Sequence, residues 1–123
     1  MTAGANLRLR ILADDLTGAL DSAAAFAGEV PVFFDAAPAG APDASIAAVA
    51  TATRDVLPSE LPAALAGALP WLRAADMAFK KVDSLWRGNT FAEIVHLARA
   101  GGFTRIVFAP AFPQQGRFTR SGR

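Results

Sequence analysis

The residues best suited to chemistry fall in short polar clusters: Asp14-Asp15-Leu16-Thr17-Gly18, Lys80-Lys81-Val82-Asp83-Ser84 and Arg87-Gly88-Asn89. Asp14 and Asp15 are adjacent, so on an extended backbone their side chains diverge. One can face a ligand while the other anchors the loop or caps a helix. A carboxylate there can accept hydrogen bonds from sugar hydroxyls, act as a general base toward one of them, or hold a magnesium ion. The order Asp-Asp-Leu-Thr is not Asp-x-Asp and does not match an aspartyl-phosphate phosphatase site. Lys81 and Arg87 place positive charge near the same acids, with Asp83 and Ser84 between them. Mixed charge suits an acidic sugar: cations take its carboxylate, carboxylates take its hydroxyls, and arginine matches a carboxylate in bidentate geometry. The same residues could instead tie loops together as an ion-pair network.

Two further clusters extend the set. Thr51-Ala52-Thr53-Arg54 offers Arg54 as an anion contact, and Pro110 to Arg117 is a loop stiffened by prolines that ends in Gly116-Arg117. Gly88 permits positive φ or close backbone approach, and the free amides of a helix after Asn89 favour an anion. Asp21 either lines the same cleft or faces solvent, and the lone His96 reads as structural or exposed. Trp71 and Trp86 read as packing or rim residues, with Trp86 placed to cover a small ligand. There is no Gly-x-x-x-x-Gly-Lys-Ser/Thr loop, no Gly-x-Gly-x-x-Gly and no Gly-x-Ser-x-Gly elbow. Thiolate and histidine-cluster metal sites are not expected, and no metal-ligating residue is assigned: there are no cysteines and one histidine.

Each cluster follows an apolar or β-branched run. Strands are predicted at Leu7–Ala13, Val30–Phe34, Ile46–Ala52, Met77–Val82 and Arg105–Ala109. Helices are predicted from about Gly18 to Ala27, capped by Asp15 or Thr17 and stopped by Gly28, and over Pro58–Leu69, interrupted by Pro70. A third covers Thr90–Ala100, stopped by Gly101-Gly102. The first helix should bury Leu16, Ala19, Leu20, Ala23, Ala24 and Ala27. Residues 35–45 read as a loop. Alternating strand and helix predicts an α/β fold: an open, mostly parallel sheet of about five strands flanked by helices, Rossmann-like and three-layered. The clusters then share the carboxyl edge of the sheet, where such folds bind ligands.

Composition agrees with one domain over residues 1–123: 53% of residues are hydrophobic and 19% charged. No apolar run approaches the roughly 18 residues of a membrane span, and the start lacks the order of a secretory signal, so a soluble cytoplasmic protein is expected. Charge is uneven: four Lys/Arg against nine Asp/Glu through residue 79, then eight against two. The basic half would attract an anion, whether carboxylate, phosphate or nucleic acid.

The ordered motifs Ala13 to Ala19, Lys80 to Asn89, and Pro110 to Pro113 with Gly116-Arg117 resemble the four-carbon acid sugar kinase family, over Leu9 to Arg117. The resemblance implies a sugar-acid-binding N-terminal domain, with Asp14 and Asp15 as catalytic candidates. The substrate-binding candidates are Arg54, Lys81, Asp83, Ser84, Arg87, Gly88, Asn89, Gly116 and Arg117. It implies ATP and Mg2+ for the full-length enzyme, supplied by a C-terminal ATP-binding domain absent from this apparently truncated chain, and none bound by this chain alone. The implied partner is a small sugar acid of threonate, erythronate or oxo-tetronate type, with no membrane and no nucleic acid, and a homodimer left open. The family's acids after the third strand are Ala50 and Ala52 here, so the Thr51–Arg54 cluster ranks lowest. The family's hydroxyl and leucine before Arg87 are Leu85 and Trp86. The competing expectations are a non-catalytic remnant, and an anion- or nucleic-acid-binding module built on residues 80–123.

Overall fold

A computed structural model describes residues 7–39 and 43–123; expectations that fall on residues 1–6 and 40–42 lie outside the described residues. β1 (Leu9–Ala13), β2 (Val32–Phe34), β3 (Ile46–Ala50) and β4 (Met77–Lys81) form one sheet in the order β2-β3-β1-β4, parallel throughout. The central strands β1 and β3 are apolar at nearly every position because both of their faces are covered. Side-chain alternation sorts them cleanly. Ile11, Ala13, Ala48 and Ala50 pack on one face with Ala19 of α1 (Leu16–Ala23). Leu12 and Val49 pack on the other, with Leu61 and Leu65 of α2 (Leu61–Leu65), Ala68 and Leu72 of α3 (Ala68–Arg73), and Leu97 of α4 (Thr90–Gly101). The arrangement is the expected three-layer α/β sandwich.

Several elements differ from the sequence expectation for physical reasons. α1 stops at Ala23, not Ala27, because residues 24–29 are exposed and have no sheet to pack on. Its buried stripe is Gly18, Ala19 and Ala23, while Leu16 and Leu20 are 45% and 49% exposed. Small residues bring the helix close to the alanine-lined sheet face, which turns the leucines outward. The predicted 58–69 helix is a 3-10 turn at Pro58–Glu60 followed by α2 and α3, broken around Gly67. Pro70 does not interrupt: it is the third residue of α3, where no intrahelical N–H is required. α4 ends as expected near its glycines, with Gly102 left-handed at φ 64°.

The expected fifth strand is not one. Residues 105–109 form no ladder, and Ile106, Val107 and Phe108 are 56%, 84% and 50% exposed. Phe108 instead packs near Trp86 and Phe91, at ring-centre distances of 6.3 and 6.4 Å. The segment is thereby held over the start of α4, and among the described residues no strand pairs with the outer edge of β4. Among the described residues no helix is long and apolar enough to cross a membrane.

Candidate functional site

Register places three strand ends side by side. Ala13 pairs with Ala50 on one side and Lys81 on the other, so the segments after β3, β1 and β4 leave the sheet at one level. Strands about 4.8 Å apart then bring residues distant in sequence within side-chain reach. Asp14, Asp15, Arg54, Asp83 and Arg87 meet there.

The Arg54 guanidinium is the hub. It donates from Nε and Nη2 to both oxygens of Asp14, at 3.1 and 3.2 Å. It also lies 3.3 Å from Asp15 Oδ2 and 3.3 Å from Asp83 Oδ1. The Asp14 hydrogen bond chiefly raises the Arg54 pKa further above its ordinary value; burial opposes this, and the charges of Asp14, Asp15 and Asp83 add to it. Asp14 and Asp83 are both buried, so without the guanidinium their charges would be costly. The cluster ranked lowest from sequence thus supplies the central residue.

Asp15 does two things. Its Oδ1 accepts from the Gly18 amide at 3.0 Å and caps α1, while Oδ2 faces Arg54. Asp15 is therefore the cap, and Thr17 is not. Gly18 makes the cap compact, since a Cβ there would come 2.7 Å from Asp15 Oδ1 and 3.5 Å from Lys81 Cγ. That contact also places the Lys81 stem beside the Asp15 cap. The Lys81 ammonium donates to the Val82 carbonyl at 2.6 Å and has no carboxylate partner among the described residues.

Asp83 organises the loop after β4. It accepts from the amides of Leu85 and Arg87 at 2.9 and 3.0 Å, and from Arg87 Nη2 at 2.7 Å. The Arg87 side chain, and then the two amides, hold the Asp83 carboxyl well below the usual range against the opposing effect of burial. The Arg87 pKa rises correspondingly, mainly through its hydrogen bond to Asp83. Arg87 is largely exposed, so it can turn toward solvent or a ligand. The Ser84 hydroxyl makes no hydrogen bond among the described residues. Trp86 holds φ at 58° in this tight loop and packs edge-on against Phe91 at 5.1 Å. Asp21 is exposed.

Gly88 and Asn89 serve the neighbouring segment. Gly88, at φ 70°, lies where a Cβ would come 2.7 Å from the Arg54 carbonyl oxygen. The Asn89 amide donates to the carbonyls of Thr53 and Val56, at 3.1 and 2.7 Å. Ala52 holds φ at 54°, a left-handed conformation costing about 1–2 kcal/mol for a residue with a Cβ. Gly116 and Arg117 are not brought in: Arg117 bonds Gln115 and forms a bridge with Phe112, and no hydrogen bond or ion pair links it to the charged cluster among the described residues. A groove on the outer face of α4, lined by Phe91, Ala92, Val95, His96, Arg99 and Ala100, also includes no member of that cluster.

Sequence reasoning missed Glu93, which is fully buried. It accepts a hydrogen bond from the Thr53 hydroxyl, and Lys80 Nζ lies 2.7 Å from its other oxygen as an ion pair without hydrogen-bond alignment. The signal was present. Thr90, Glu93, Leu97 and Gly101 share the inward stripe of α4, and an ionisable residue on such a stripe needs a partner.

The arrangement can hold a small polar molecule between carboxylates and cations. Asp14, Asp15 and Asp83 converge on a guanidinium, so this acidic set does not fit a magnesium ion. A family model described as a sugar-binding N-terminal domain matches residues 9–123. The chain is 40% identical over 120 residues to a D-threonate kinase of Cupriavidus necator, covering 91% of this chain and 28% of that protein. It is 37% identical to a D-threonate kinase of Bordetella bronchiseptica, covering 91% and 30%, and 30% identical to one of Salmonella typhimurium, covering 95% and 29%. The chain therefore spans less than a third of the length of these curated relatives. No solved structure matches it. With a match running from β1 through the last described residue, the chain belongs to the family of sugar-binding N-terminal domains.

Proposed function

We propose that this chain is the sugar-acid-binding portion of an ATP-dependent kinase acting on a four-carbon acid sugar of threonate type. The observation that carries the reading is the interlocked set of Asp14, Asp15, Asp83, Arg54 and Arg87 at adjacent parallel strand ends. The likeness to D-threonate kinases supports the substrate class. In this reading ATP and Mg2+ are not held by the residues of this chain.

In this reading Asp15 accepts a hydrogen bond from a substrate hydroxyl and is the general-base candidate, because one of its oxygens is spent on the α1 cap and the other faces the cluster. Lys81 and Arg87 receive the substrate carboxylate: Lys81 has no carboxylate partner among the described residues, and Arg87 reaches outward from Asp83. Arg54 holds Asp14 and Asp15 in place. Phosphoryl transfer depends mostly on positioning and charge stabilisation, which is what such a set supplies.

Calorimetric titration with D-threonate and erythronate tests this. The wild-type chain should bind one of them, and Asp15→Ala should weaken binding at least about tenfold, the scale of one lost charged hydrogen bond. No heat with either acid at millimolar concentration would overturn the reading.

A further inference from the structure

Three residues at the start of α4 converge on two residues after β3. Glu93 bonds the Thr53 hydroxyl, Asn89 bonds the Thr53 carbonyl at 3.1 Å, and Gly88 packs on the Arg54 backbone so tightly that a Cβ would not fit. Asn89 and Glu93 are four residues apart and so project from one side of the helix. Thr53 is fully buried and is further tied to Thr51 at 2.7 Å, whose hydroxyl reaches the Ala13 carbonyl at 3.0 Å. The chain reaches this position through left-handed Ala52, a conformation that persists only when its surroundings enforce it.

A buried carboxylate is an expensive way to hold one threonine. Its charge is balanced by Lys80, which reaches it from β4, so Glu93 ties α4 to two strands at once. The next residue along from Thr53 is Arg54, whose guanidinium must meet three carboxylates from two other segments within 3.3 Å. A long side chain can satisfy that geometry only if its backbone is fixed.

We propose that Glu93, Asn89 and Gly88 form a clamp on Thr53–Arg54, in which Glu93 is a positioning residue that sets the Arg54 guanidinium for ligand binding. The inference rests on the proposed sugar-acid reading for its consequence in binding, but not for the clamp itself.

Proton–nitrogen NMR of the arginine side chains reads the clamp directly. In the wild-type chain Arg54 Nε–H should give a distinct, slowly exchanging signal, identified by its loss in Arg54→Lys. In Glu93→Gln and in Thr53→Val that signal should move to the averaged position of free arginine. Thr53→Val is close in size and leaves the Lys80–Glu93 pair intact, so it decides the matter if Glu93→Gln does not fold. An Arg54 signal unchanged in a folded variant overturns the clamp. Titration with D-threonate supplies the second arm. Glu93→Gln should weaken binding about tenfold, and the loss should vanish in an Arg54→Ala background. A loss that persists there shows Glu93 acting on the fold in general and overturns the positioning role. A wild-type chain that binds no sugar acid sinks the proposed function, while the spectra still judge the clamp.

Discussion

At the scale of single residues, the site is held by charges that satisfy one another. Asp83 is buried, accepts from two amides and the Arg87 guanidinium, and has the Arg54 guanidinium 3.3 Å away as an ion pair, so its ionised form is strongly preferred in the folded chain. Because its folded pKa is depressed, the stability it contributes is fully present above the ordinary carboxylate value of about 4 and is lost as pH falls below it. Asp83→Asn should therefore destabilise the chain by about 1–3 kcal/mol at neutral pH. The gap between wild type and variant should narrow below about pH 4, where Asp83 of the unfolded chain takes up a proton while that of the folded chain stays ionised. Denaturant melts across a pH series check this, and a gap that stays constant with pH contradicts it. Asp14, Asp15 and the 83–89 motif were legible in the sequence because each is a local pattern at a strand end. The centrality of Arg54 was not. Its partners lie 40 residues earlier and 29 later, and only the β3-β1-β4 order makes them neighbours.

At the scale of elements, α4 carries more of the site than its sequence suggests. Its inward stripe holds a single large apolar residue, Leu97, set among Leu12, Val49, Leu61, Leu65, Ala68 and Leu72. The rest of the stripe is Thr90, Glu93 and Gly101, so packing of the helix rests on Leu97 and its orientation on polar contacts. Leu97→Ala should cost about 2–4 kcal/mol, the range for a leucine lost from a closed core. It should also loosen the Asn89 and Glu93 contacts, seen as faster amide exchange at residues 53–56. Slow exchange there in a destabilised variant would show that the helix start is held independently of Leu97. Helix and strand identities were mostly readable from periodicity, but ends were not where packing sets them. α1 ends where the sheet beneath it ends, a fact absent from the run of alanines that continues to Ala27.

At the scale of the whole molecule, the parallel sheet gathers an acidic front half and a basic back half onto one edge. The ion pairs of the site do not absorb the uneven charge: Lys80 faces Glu93 and Arg87 faces Asp83, both within residues 80–123, so that half keeps its excess of cations. The layered architecture was legible from alternating apolar runs. The number of strands was not, because residues 105–109 have strand composition without a strand's neighbour. A ladder is a property of two segments, and no pattern within one of them reveals whether the other is at hand.

The outer edge of β4 has a consequence for handling the isolated chain. Among the described residues its outer backbone donors and acceptors pair with no strand, Met77 and Phe79 are 53% and 46% exposed, and charge is confined to Lys80 and Lys81 at its carboxyl end. Such an edge invites another copy's strand and growth toward fibrils, unless a charge interrupts it. Light scattering should rise with concentration for the wild-type chain and far less for Phe79→Lys at equal thermal stability. Equal scattering by both would show that the edge is already shielded and that colloidal behaviour is set elsewhere on the surface.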